Sequence, residues 1–170
     1  QSVLDGTRKK HFMGTVVLKP ESASILSVID GQQRLVTFTI ILKVLYELSV
    51  KYAPIHKAEI ERLLFRNKNL IVTVSFYDRD AFNTLHEDPT LLRASKREHK
   101  NFKECYDFFS EALSGYIESS IGQKRTNFAS ILKTVTEKMA FVEIALGDED
   151  DIHAIFETIN YAGMPLTSAD

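Results

Sequence analysis

Ser27-Val28-Ile29-Asp30-Gly31-Gln32-Gln33-Arg34-Leu35 passes from an apolar, β-branched strand through a tight polar turn into the start of a helix within nine residues. A turn of this kind leaves backbone N–H groups unpaired at the positive end of a helix dipole, where phosphates and other anions bind. In that setting Gly31 lets a ligand approach the backbone, Gln32 and Gln33 can orient a phosphate oxygen or an attacking water, and the fork of Arg34 can neutralise phosphate charge. The same residues also satisfy a variant of the capping box, with Asp30 as N-cap and Gln33 three residues on, and that arrangement needs no ligand. Arg34 weighs on the side of a ligand, because a cation in the first helical turn opposes the dipole unless an anion or a carboxylate compensates it.

Upstream of the turn, Phe12-Met13-Gly14-Thr15-Val16-Val17-Leu18 reads as a strand that stops at Lys19-Pro20, and Ser24 to Ile29 reads as a second. Only Pro20-Glu21-Ser22-Ala23 separates them, so the pair is expected to form an antiparallel hairpin. Downstream, Leu35 to Leu48 is helical in period but apolar on nearly every side, which describes a central, buried helix.

Further on, Pro54 opens a helix over Ile55 to Phe65, and Leu70 to Phe76 reads as a strand. Asp78-Arg79-Asp80 can cap a short helix through Leu85 that Asp88-Pro89 ends. A long amphipathic helix is expected from Lys96 to Ile117, with Phe102, Tyr106, Phe109 and Leu113 on one face. Asn127 to Met139 reads as helix, Ala140 to Leu146 as strand, and Glu149 to Ile159 as an acid-started helix. Three to four short strands around at least six helices, without regular alternation, make an α+β fold with a small mixed or antiparallel sheet and a larger helical part.

The composition suits one globular domain over residues 1–170: 44% of residues are apolar and 26% charged, with only 7 Gly and 4 Pro. That excludes collagen-like, disordered and low-complexity classes, and the single Cys105 excludes a disulfide framework. With 21 Lys+Arg against 23 Asp+Glu there is no bulk electrostatic footprint for nucleic acid or an anionic membrane, so an anionic partner needs a local site. The most apolar run, Ile25 to Leu48, is interrupted by Asp30 to Arg34, Lys43 and Glu47 and is not a membrane span. A cytoplasmic protein without a membrane partner is the expectation. Gln1 at the start and the helix-start signature Thr167-Ser168-Ala169-Asp170 at the end both read as cuts in a longer chain.

Ile29-Asp30-Gly31-Gln32-Gln33-Arg34-Leu35 resembles the signature of the DGQQR family, a domain-of-unknown-function group that includes the N-terminal part of GmrS–GmrD type restriction enzymes and of other phage-defence proteins. Phe12 to Leu18 is similar to the family's strand before the motif, and Phe156-Glu157-Thr158-Ile159-Asn160-Tyr161-Ala162-Gly163-Met164-Pro165-Leu166 resembles its second signature, F-x-x-[LIV]-N-x-x-G-x-x-L. The resemblance runs nearly end to end and implies a ParB/sulfiredoxin-like core that binds a nucleoside triphosphate with Mg²⁺, with hydrolysis coupled to restriction of DNA. It places Asp30, Gly31, Gln32, Gln33 and Arg34 in the triphosphate site, with Gln32, Gln33 and Arg34 in the catalytic roles and Asn160 as a further nucleotide-binding residue. The family's upstream motif, I-P-x-Y-Q-R-x-Y-x-W, has no counterpart before His11. Asn160 and Gly163 also suit a plain helix end, with Pro165 blocking continuation.

Other signals point to structure rather than chemistry. Asp148-Glu149-Asp150-Asp151 reads as an acidic first helical turn rather than a nuclease site. His11, His56, His86, His99 and His153 share no metal-ligand spacing and are read as surface or capping residues. The basic run Lys96-Arg97-Glu98-His99-Lys100 reads as a solvated face. Two functions follow: a nucleoside-triphosphate-binding and hydrolysing domain of a phage-defence restriction protein, or a non-catalytic DNA-binding or partner-docking module whose turn holds a backbone phosphate. The sequence decides neither the nucleotide nor the oligomeric state.

Overall fold

The computed structural model describes residues 10–93, 95–147, 149–151, 154, 155 and 157. They group into two compact units, one over Lys10, His11 and Leu35–Met139 and the other over Phe12–Arg34 with the described residues from Ala140 onward. The architecture is α+β and mostly helical, as the sequence indicates.

The second unit is built on a three-stranded sheet in the order β2, β1, β5, where β1 is His11–Ser22, β2 is Ile25–Asp30 and β5 is Met139–Ala145. β1 and β2 form the expected antiparallel hairpin. β1 is longer than the sequence suggests because it runs through Pro20, which sits beside a register irregularity where a missing ladder N–H is tolerated. A second irregularity lies where Val17 pairs with Asp30 while Leu18 pairs with Val28, so that Ile29 is the extra residue of a bulge immediately before the polar turn. Val16 and Val17 are the buried residues of this strand.

The first unit is organised around α1, Gln32–Tyr52, of which Leu35 onward belongs to it. Thr39 to Leu45 are buried without interruption, as expected for a helix apolar on every side. Ile41, Leu42 and Leu45 join Ile60 and Leu64 of α2 (Lys57–Leu64), Ile117 of α4 (Arg97–Glu118) and Phe128, Ile131 and Leu132 of α5 (Lys124–Lys133) in the main core. Each such side chain contributes about 1.5–3 kcal/mol by leaving water. A second cluster forms from Ile40, Leu85 of α3 (Arg79–Glu87) and Leu92, covered by Phe102, Tyr106 and Phe109. The aromatic stripe of α4 is therefore core.

The strand expected over Leu70 to Phe76 is not formed. A two-residue hairpin stands there instead, β3 (Phe65–Arg66) against β4 (Asn69–Leu70), turned by Asn67 and Lys68 at φ 51° and 67°. Beyond Ile71, whose N–H reaches Leu64 O at 2.9 Å, the segment has no ladder partner among the described residues and leaves Phe76 exposed. The helix expected over Asn127 to Met139 is likewise split, α5 ending at Lys133 and a π-helical turn covering Thr134–Lys138 before β5.

Candidate functional site

The polar turn joins the end of β2 to the start of α1. Asp30 closes β2, Gly31 stands between the elements, and the helix opens at Gln32. The cap position is thus Gly31 rather than Asp30, and the Asp30 carboxylate does something else: its Oδ2 accepts from Arg34 Nη1 at 3.3 Å. The same Nη1 donates to Thr15 O of β1 at 2.7 Å. Thr15 lies two residues before the last paired position, Val17, so β1 extends past the end of β2 and presents its backbone to the guanidinium. The cation that opposes the helix dipole thus has an internal carboxylate partner one turn away.

Two glycines make this arrangement possible. Gly14 has φ +111°, and a Cβ there would stand 2.9 Å from Arg34 Nε and 3.1 Å from its Cδ. Gly31 has φ +90° and is buried, and a Cβ on it would meet Thr15 O at 3.0 Å and Val16 Cγ2 at 3.1 Å. The glycine of the turn thus makes room for the backbone of β1, which by itself requires glycine at this position. Gly14 and Thr15 are the participants that sequence reading missed. An isolated glycine inside a β-branched run was the available sign, since such a residue marks a bulge or a close approach.

Around this frame, Ile29 to Arg34 line an open cleft of about 460 Å³. Gln32 Nε2 donates to Val28 O at 2.9 Å, which ties that amide to β2. Gln33 is exposed, and its side chain carries no hydrogen bond among the described residues. The Arg34 side chain keeps 44% of its exposure, and its Nε and Nη2 have no partner among the described residues. The structure therefore brings Asp30, Gly31, Gln32, Gln33 and Arg34 together in one turn. Asn160 lies outside the described residues.

The remaining sequence signals resolve as structural features with one exception. Asp150 Oδ2 accepts from Gly147 N at 2.6 Å and Asp151 Oδ1 from Ala154 N at 3.2 Å, the work of a capping segment. Among the described residues no group of three His, Cys, Asp or Glu could hold a metal ion. Burial raises the pKa of Cys105, which leaves it a thiol rather than a nucleophile. Lys96 and Lys100 pair with Asp80 and Glu104. The exception concerns histidine: His86 and His99 are buried rather than at the surface. His99 is satisfied, its Nδ1 accepting from Arg93 N at 3.3 Å and its Nε2 standing 2.9 Å from Asp80 Oδ2, whereas His86 Nε2, buried, meets no hydrogen-bond geometry with any of the described residues.

No helix among the described residues is long and apolar enough to cross a membrane. In comparison with known proteins, the profile of the GmrSD restriction endonuclease, N-terminal domain, matches residues 1–170. Neither the curated proteins nor the solved structures contain a match to the chain.

Proposed function

The chain belongs to the GmrSD restriction endonuclease N-terminal domain family, and from that membership we propose that the β2–α1 turn binds the phosphates of a nucleoside triphosphate whose hydrolysis controls restriction of DNA. The observation that carries this reading is the state of Arg34. One of its terminal nitrogens is fixed by Thr15 and Asp30, which holds the guanidinium in place, while Nε and Nη2 remain free among the described residues beside the open end of α1. A preorganised fork next to helix N–H groups suits a phosphate, since the donors are already positioned before charge arrives.

In this reading Arg34 stabilises charge on the phosphates. Gln33, exposed and without a partner among the described residues, orients the attacking water. Gln32 is held by Val28 and has the lesser freedom to do so. Mg²⁺ is commonly held by one or two carboxylates together with phosphate oxygens, and Asp30 supplies the carboxylate of this turn. Asn160 completes the proposed set.

Calorimetry on the full-length protein, with Mg²⁺ and each of the four ribonucleoside triphosphates, tests the assignment. Wild type binds one or more of them, Arg34→Ala loses that binding, and Gln33→Ala binds with hydrolysis reduced. Retained affinity in a folded Arg34→Ala protein overturns the reading. Binding of duplex DNA in place of nucleotide, falling steeply with salt, would instead establish the turn as a docking site for a backbone phosphate.

A further inference from the structure

Phe76 and Tyr77, neighbours in the chain, are 79% and 82% exposed and meet edge to face with ring centroids 6.0 Å apart. A lone exposed apolar residue needs no explanation, but an adjoining pair of large aromatics left in water marks a surface that meets a partner. Their backbone is fixed. Asp78 N donates to Ser75 O at 3.2 Å and Ser75 Oγ to Asp78 Oδ2 at 3.1 Å, which closes a tight turn with the two aromatics at its central positions. Those positions ordinarily take Pro, Gly, Asn, Asp or Ser, each for a backbone reason, so a Phe-Tyr pair there breaks a local rule in the way functional sites do.

The turn opens directly into α3, and the first turn of α3 is tied to the first turn of α4: Asp80 Oδ2 stands 2.9 Å from His99 Nε2 and 3.4 Å from Lys96 Nζ. Beneath them Phe82, fully buried, meets Phe102 edge to face. Arg93 belongs to the same junction, its N–H donating to His99 Nδ1 at 3.3 Å and its carbonyl accepting from Lys96 N at 3.0 Å. The charges of this junction divide by residue type. The carboxylates of Asp78 and Asp80 are engaged by Ser75 and by His99 with Lys96, and Lys100 is engaged by Glu104. Arg79, Arg93 and Arg97 are exposed, and their guanidinium groups carry no hydrogen bond or ion pair among the described residues. In a chain with 21 Lys+Arg against 23 Asp+Glu, these free forks make a local basic site beside the aromatic turn.

We propose that the Phe76–Tyr77 turn and the arginines beside it bind single-stranded DNA, with bases stacking on the two rings and backbone phosphates held by Arg79, Arg93 and Arg97. An aromatic ring accepts the face of any base, and a guanidinium fork matches the oxygens of a phosphate. Membership of a restriction endonuclease family makes DNA the polyanion in question. A duplex keeps its bases stacked on one another and must pay unstacking energy to offer the rings a face, so an unpaired strand is the form that uses both features of the surface. The surface is separate from the β2–α1 turn and goes beyond the reading of that turn, without which it still stands.

The test is fluorescence anisotropy of a labelled oligothymidylate of about 12 nucleotides titrated with the full chain between about 50 and 200 mM salt, with an unlabelled duplex of the same length as competitor. The single strand is expected to bind at least about ten times more tightly than the duplex, and Phe76→Ala and Tyr77→Ala, both at exposed positions, to weaken it about tenfold each. Arg97→Gln should lower the slope of log affinity against log salt by about 0.7, as the loss of one phosphate contact requires. The chain contains no Trp, so Tyr77→Trp supplies its single indole, which should keep the binding and be quenched when a base stacks on it. Arg34→Ala should bind the strand as wild type does. No binding of the single strand by the folded wild type overturns the proposal, as does an unquenched indole at saturation or a preference for the duplex. Binding lost in Arg34→Ala but kept in Phe76→Ala and Tyr77→Ala would place the DNA at the β2–α1 turn and overturn it equally.

Discussion

Gly14 leaves the space in which Arg34 lies: a Cβ at position 14 would stand 2.9 Å from Arg34 Nε. The two residues are on different elements, 20 positions apart in sequence. Gly14→Ala would impose a side chain on a backbone at φ +111° as well as displacing the guanidinium from Thr15 O. The strain costs about 1–3 kcal/mol, read from urea unfolding. Losing the fixed geometry of one charge-assisted donor should weaken triphosphate binding by about tenfold or more. Unchanged affinity would separate the position of Arg34 from the proposed binding.

Gly31→Ala is expected to be the more damaging of the two for stability. Beside Val16 Cγ2, an added Cβ meets Thr15 O and Val16 Cα, backbone atoms that cannot swing aside as the end of a side chain can. Gly115→Ala is the converse case, since it sits exposed within α4 with nothing within 4 Å of a new Cβ. Alanine there should stabilise by about 0.5–1 kcal/mol. Differential scanning calorimetry of the two variants and the wild type should order them Gly115→Ala, wild type, Gly31→Ala from most to least stable.

The hairpin, the buried central helix and the aromatic stripe of α4 were all readable in the sequence because each is a local pattern with a single burial solution. The hairpin needed only two β-branched runs and a short turn, and α1 needed only its apolar period. What stayed hidden depends on contacts between distant positions. Asp30 reads equally as a helix cap and as an ion-pair partner, and only the approach of Thr15, set by the bulge at Ile29, decides for the pair. Leu70 to Phe76 has the composition of a strand, yet composition cannot supply a neighbouring strand, and the left-handed turn at Asn67 and Lys68 consumed the first residues of that run in a hairpin of its own. His86 and His99 looked like surface residues because a histidine by itself does not announce burial, which here follows from where α3 and α4 meet the rest of the helical unit.

Lys43 and Glu47 form a pair in which only one member is fully withdrawn from water, at 6% and 31% side-chain exposure. Glu47 also accepts from Tyr106 OH, whose pKa is raised by burial and then by this carboxylate, so the phenol stays protonated and donating. Glu47→Ala would strand a buried ammonium and a phenol together and should destabilise by about 3 kcal/mol. Lys43→Met removes the charge instead of its partner and fits the same apolar stem, so it should change stability by less than about 1 kcal/mol. Urea unfolding of both variants checks the asymmetry, and equal losses would contradict it.

The pH dependence of stability should carry the signature of His86. Its folded pKa is lowered from 6.5 to about 4, first by burial and further by Lys43, against the pull of the Phe82 carbonyl. A base whose pKa is lower in the folded state is protonated first in the unfolded chain, so between about pH 6.5 and 4 the unfolded state holds more protons. Stability from this group is therefore complete above pH 6.5 and is lost as the pH falls toward 4, below which both states are charged and the loss levels off. A shift of this size corresponds to about 3 kcal/mol over the whole interval. His86→Gln keeps a side-chain N–H donor but cannot titrate, so the difference between its stability and that of wild type should narrow steadily on acidification. Urea unfolding of both proteins from pH 7.5 down to about 4.5 measures that difference directly, with the contributions of other acids and bases cancelling between them. Parallel curves would mean that His86 is not held neutral in the folded protein.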